Sequence, residues 1–166
     1  MNGRYFRGIQ IEYGWLLTSF YDSFAFFAIH DNIYKKGVVA MILNEIFHEC
    51  IKDPGGIVSV ASTGTDGKPH IANTWNKYLI ITEDEKILIP CFGFRKTEKN
   101  AETQPYVEIV VGSDKVQGKM GMGTGCLLTG TAKFEKEGEL FNLVHDKLKF
   151  ANRVLIFTPE SCKQTI

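Results

Sequence analysis

A mainly β fold, an antiparallel barrel with a few short helices, is predicted by three features of this 166-residue chain. Six or seven short segments rich in β-branched residues follow one another between turn signals, two consecutive pairs of them read as hairpins, and only three short stretches carry helical periodicity. That pattern argues against a parallel sheet with a helix between successive strands.

In chain order, Met41–Lys52 places Ile42, Leu43, Ile46, Phe47, Cys50 and Ile51 at helical spacing, and Asp53-Pro54-Gly55-Gly56 ends the pattern. Ile57–Ser62 is β-branched, Thr65-Asp66-Gly67-Lys68 supplies an Asp-Gly turn, and His70–Trp75 returns as the partner strand. Tyr78–Thr82 and Lys86–Phe92 form a second hairpin around Glu83-Asp84-Glu85. A short helix over Lys96–Thr103 precedes strands at Tyr106–Gly112 and Cys126–Phe134. The helix expected over Gly138–Phe150 carries Leu140, Phe141, Val144 and Leu148 on one face, and Arg153–Phe157 is the final strand.

Composition narrows the function classes. With 44% hydrophobic residues and 16 Gly, the chain can bury a core for one domain with many tight turns. Lys plus Arg equals Asp plus Glu at 19 each, so no net field favours nucleic acid or an anionic membrane. A bound phosphate must therefore be small and locally recognised. Cys50, Cys91, Cys126 and Cys162 are scattered without a C-x-x-C pair, and His30, His48, His70 and His145 are equally dispersed. No metal site is predicted, and a reducing, cytoplasmic setting follows.

Residues 1–40 differ in composition: they hold five of the twelve Phe and four of the six Tyr. Asp22 interrupts their apolar runs, leaving neither a transmembrane span of ~20 residues nor a secretory cleavage site. Codons for Lys35-Lys36-Gly37-Val38 can spell an A/G-rich tract just before the ATG of Met41, as at a bacterial ribosome-binding site. Residues 1–40 are accordingly expected to be an over-extended N-terminal extension, against the rival reading of a genuine element covering the barrel, and 41–166 to be the functional domain.

Two stretches carry chemistry. Asn73-Thr74-Trp75-Asn76 is an amide- and hydroxyl-rich strand end, and Gly93-Phe94-Arg95-Lys96-Thr97-Glu98 is a basic turn into a helix. Gly93 admits close approach to the backbone, Arg95 and Lys96 precede free helical N–H groups, and Thr97 adds a hydroxyl, so several anion-binding devices converge. Singly, each is explained by a surface lysine or an ordinary helix start. Trp75 also fits a core position, and strand pleating sends Asn73 and Thr74 to opposite faces, so one side chain meets a ligand while the other lends its backbone. Flavin mononucleotide has the matching shape, a flat polar-edged ring with a terminal phosphate. Gly118-Lys119-Met120-Gly121-Met122-Gly123-Thr124-Gly125 opens a strand and lacks a P-loop ending, so it reads as a turn where two backbones approach closely, or as a loop edging a flavin in a dimer.

In the order and spacing of its motifs the chain resembles the small bacterial FMN-binding proteins of the split-barrel, pyridoxamine-phosphate-oxidase-like superfamily. The resemblance runs from about Met41 to Ile166. It is carried by Gly56-Ile57-Val58 with Gly67-Lys68-Pro69-His70, then Asn73-Thr74-Trp75-Asn76, Lys96-Thr97-Glu98 with Asn100, Val111-Gly112-Ser113 with Lys115-Val116, Gly123-Thr124-Gly125 and Gln164-Thr165-Ile166. It implies an antiparallel, Greek-key-like split barrel and a homodimer with noncovalent FMN between protomers.

By the same resemblance, Lys96 and Thr97 hold the phosphate, Asn73, Thr74 and Trp75 line the isoalloxazine, and Phe92, Gly93 and Phe94 border it. Phe150 and Ile166 are expected near the flavin from the neighbouring subunit. Phe150 stands where a tryptophan is frequent, and Gly55 where an acidic residue lies near the ring, changes that shift reduction potential without preventing binding. The C-terminal Arg-x-His pair of pyridoxamine phosphate oxidases is missing, and no nucleophile or general base stands out. The function read is an electron-carrying FMN flavoprotein with an unknown redox partner. A flavin-dependent reductase or oxidase of a small molecule using reduced nicotinamide, and a flavin-binding module without turnover, are the rival readings.

Overall fold

A computed structural model describes residues 41–166, and the expectations for residues 1–40 lie outside the described residues. Seven strands, β1 (Ile57–Thr63), β2 (Pro69–Trp75), β3 (Ile80–Ile81), β4 (Ile87–Cys91), β5 (Tyr106–Gln117), β6 (Met122–Glu135) and β7 (Arg153–Gln164), combine with helices α1 (Glu45–Ile51), α2 (Arg95–Thr103) and α3 (Glu139–Lys147). All pairings are antiparallel, in the order β2-β1-β5-β6-β7-β4-β3. One buried cluster takes Val58 and Val60 from β1, Ile87 and Ile89 from β4, Val107, Ile109 and Val111 from β5, and Leu155 and Phe157 from β7, so the sheet must curl around it. Phe47 and Cys50 of α1 plug the same core. The expected antiparallel split barrel is the observed architecture.

The split has a simple origin. Strands β2 and β3 are joined only by a 3₁₀ turn, Asn76–Tyr78, yet they form the two unpaired edges of the sheet. Chain and sheet part company there, leaving a seam. The β1–β2 hairpin forms as expected, with Gly67 at φ 72°, a value that favours glycine, and Val58, Val60 and Ser62 buried at alternate positions.

Several element boundaries differ from expectation: β3 is only Ile80–Ile81 and α3 only Glu139–Lys147, and others shift further. Helix α1 begins four residues late because Asn44 caps it, its Oδ1 accepting from Phe47 N–H at 2.9 Å, while the N–H groups of Ile42 and Leu43 donate to the Glu85 carboxylate. Strands β5 and β6 run on into the glycine-rich stretch, which supplies only a tight turn at Gly118–Gly121. A Cβ on Gly125 would lie 2.5 Å from Val111 O, so two backbones do approach closely there. Strand β7 continues past Phe157 to Gln164 because a bulge leaves Glu160 unpaired, between Ser161 opposite Thr129 and Pro159 opposite Gly130.

Candidate cofactor site

Helix α2 starts abruptly. Phe94 sits at φ 62°, ψ 18°, a left-handed conformation uncommon for a side chain of its size, and turns the chain out of β4 into the helix. No side chain caps the helix start, and the first intrahelical bond is Glu98 N–H to Phe94 O at 2.8 Å. The N–H groups of Arg95, Lys96 and Thr97 therefore have no helical partner, a start suited to an anion. Arg95 and Lys96 are exposed beside them, whereas Thr97 is fully buried with its hydroxyl unpaired. Glu98, in the same turn, is neutralised by Arg153 at 3.0 Å and Lys136 at 3.1 Å. Its charge does not repel an anion.

The seam brings the sequence-predicted residues together selectively. Because β3 pairs with β4, residues 76–78 come alongside the end of β4, which leads into Phe92 and Gly93. Phe92 is exposed, and a Cβ on Gly93 would meet nothing within 4 Å. Phe150 stacks edge-on against Tyr78 of its own chain, centroids 5.4 Å apart, and Asn152 N–H donates to Cys91 O, so Phe150 borders the seam intramolecularly. Thr74 pairs with the buried Val58 and points inward, while Asn73 and Trp75 point outward. Asn73 Oδ1 accepts from Ser59 Oγ at 2.8 Å. As an edge strand, β2 keeps one row of backbone donors and acceptors without a strand partner. Ile166 lies at the far end of β7 from Arg153, where its carbonyl accepts from Thr124 Oγ1 and from Gln164 Nε2. Within one protomer it does not reach the seam.

No family model matches the chain. An FMN-binding protein of Nitratidesulfovibrio vulgaris (strain Miyazaki F) is 39% identical over 120 residues, covering 72% of this chain and 96% of that protein. This chain belongs to that family. Solved structures share its fold. An FMN-binding protein from Syntrophomonas wolfei superposes with a TM-score of 0.60 at 15% identity, covering 86% of this chain and 97% of that one. A candidate pyridoxamine 5'-phosphate oxidase from Lactobacillus delbrueckii gives 0.56 at 14%, covering 76% and 97%. At such identities these two structures speak for the fold alone.

Several residues that matter to this family member were not singled out by its sequence. Arg153, nearly buried, donates from Nη2 to the carbonyls of Gly93 and Phe92 and so fixes the turn before α2. Asn100 Nδ2 donates to Ser62 Oγ at 3.0 Å, tying α2 to β1. Asn76, buried, donates to Cys50 O at 2.8 Å and Gly112 O at 3.2 Å, locking the seam's floor to α1 and β5. Asp53 accepts from Ser113 Oγ at 2.8 Å and Lys115 Nζ at 2.7 Å; the Lys115 and Ser113 hydrogen bonds hold its carboxyl below the usual carboxylate range. Only spatial proximity across many residues reveals these partners. The quoted motifs already contained Asn76, Asn100, Ser113 and Lys115, without their roles.

Proposed function

We propose that this protein is an FMN flavoprotein that carries electrons and works as a homodimer. The observation that carries the reading is the uncapped start of α2, where three free N–H groups, the unpaired Thr97 hydroxyl and the side chains of Arg95 and Lys96 meet at one seam. A terminal phosphate is the ligand that suits this arrangement. Phe92, Phe94 and Phe150 then shield the ring, and the free edge of β2 over Asn73–Trp75 offers backbone groups to its polar rim. FMN supplies one- and two-electron redox chemistry when bound, and the chain's residues bind it, orient it and limit water.

The outward face of β2, β1 and β5 exposes Ile57 opposite Trp75, with Ile71 and Val110 on the same face, a surface that supports self-association. Pairing through that face would let Ile166 of the partner subunit approach the ring that it cannot reach within its own protomer. The four thiols are free, which supports a reducing compartment, and no helix among the described residues is long and apolar enough to cross a membrane.

The purified protein should be yellow, with the absorption bands of oxidised flavin, and should elute as a dimer. A colourless protein that does not take up added FMN contradicts the cofactor assignment. Steady-state oxidation of reduced nicotinamide separates carrier from reductase. Slow oxidation with free flavin or oxygen as acceptor supports the carrier, and rapid multiple turnover makes the protein an enzyme.

A further inference from the structure

Three of the four thiols converge beneath α1, at the end of the barrel. On the inner face of the sheet Cys126 stands opposite Gln164, and Leu128 opposite Cys162, so the two cysteines are diagonal neighbours across β6 and β7. Asn44 bridges them: its Oδ1 accepts from Cys126 Sγ at 3.6 Å and its Nδ2 donates to Cys162 O at 3.3 Å. Cys50 of α1 completes the group, its Sγ 3.8 Å from Thr124 O.

The two diagonal thiols are not equivalent. Cys126 is fully buried, whereas Cys162 is partly exposed. The neighbouring Cys126 thiol lowers the Cys162 thiol to about 7, while Cys162 and then burial push Cys126 up. Cys162, lowered and partly exposed, is thus the readier of the two to ionise to the nucleophilic thiolate. An accessible nucleophilic sulfur beside a second thiol is the arrangement of a redox-responsive pair.

We propose that Cys162 and Cys126 form a hydroperoxide-responsive pair, with Cys162 oxidised first and Cys126 resolving it to a disulfide. The Cys162 sulfur attacks the peroxide: an S–O bond forms, the O–O bond breaks and hydroxide leaves. The Cys126 sulfur then attacks the Cys162 sulfenic acid, forming S–S and breaking S–O, and water departs with the Cys126 proton. Two thiols lose two electrons and the hydroperoxide is reduced. Diagonal neighbours, ~7–8 Å apart, stand beyond the ordinary reach of a disulfide, so closure requires the backbone of β7 to shift. The bulge at Glu160, two residues before Cys162, lets β7 make that shift.

The test exposes the full chain, natively folded, to a small excess of hydrogen peroxide, blocks remaining thiols with iodoacetamide and analyses tryptic peptides by mass spectrometry. Expected is a cross-link between peptides 120–133 and 154–163, lighter than their sum by two hydrogen atoms and released by dithiothreitol. In C126S, Cys162 should accumulate as a sulfenic acid trapped by dimedone, and in C162S, Cys126 should remain a free thiol. Absence of the cross-link in the unaltered protein, a bond to Cys50 in its place, or equally fast oxidation of Cys126 in C162S overturns the proposal. The readout does not involve flavin.

Discussion

In the proposed site Lys96 and Thr97 would serve one phosphate by different physics, and substitution should separate them. Lys96 is exposed, so Lys96→Ala should leave the melting temperature unchanged while weakening FMN by about 1.5–3 kcal/mol, roughly tenfold to more than a hundredfold, the scale of a hydrogen bond to a charged group. An unaltered dissociation constant would move the phosphate elsewhere. Thr97 is buried with an unpaired hydroxyl, so Thr97→Val keeps the shape, removes an unsatisfied group and should not lower stability, yet should weaken FMN by roughly 1 kcal/mol. A lower melting temperature would show that the hydroxyl has a partner in the folded chain. Asp53 makes a pH prediction. Its folded carboxyl titrates below the ordinary value of 3.8, so its contribution is present above that value and is lost as pH falls through the folded pKa. Asp53→Asn should therefore reduce stability at neutral pH and flatten the fall below about pH 4, read by urea unfolding across pH. The uncapped, basic start of α2 was legible because its cations, hydroxyl and free N–H groups lie close together in sequence. Asp53 was read only as part of a helix stop, since its partners Ser113 and Lys115 lie on another strand.

Elements were legible wherever the local signal was self-sufficient. The β1–β2 hairpin announces itself through Asp66-Gly67 and β-branched alternation, and the first turn of α2 through its basic residues. Elements held by long-range pairing were read short. Pro159 argues against a strand, and only the bulge opposite Gly130 accommodates it; the glycines at 118–125 suggest a loop, yet Gly123 and Gly125 lie within β6. Gly56 shows how strict such contacts are. A Cβ there would lie 2.1 Å from Asn76 Nδ2 and 2.4 Å from Gly112 O, beneath the seam. Gly56→Ala should therefore destabilise the fold by roughly 1–3 kcal/mol, as overpacking does, and loosen the turn that carries β2 into β3. Chemical denaturation measures this, and a stability equal to the parent's would mean that the Asn76 lock is dispensable.

At the scale of the molecule, the sheet closes around one core except between β2 and β3, and that gap is where the helix start, the edge strand and the aromatic residues meet. The family resemblance begins at about Met41, so a chain starting at Met41 should fold, dimerise and bind FMN as the full chain does. Insolubility or loss of flavin would show that residues 1–40 cover an essential apolar surface. Because phosphate recognition at α2 is the centre of the account, the most direct measurement is a paired fluorescence titration of flavin-free protein with FMN and with riboflavin, which share the ring and differ by the phosphate. FMN should be quenched with an affinity at least tenfold above that of riboflavin, and the difference should shrink in the Lys96→Ala protein. Equal affinities, or no quenching by FMN, would contradict the assignment of the α2 start as the cofactor's phosphate site.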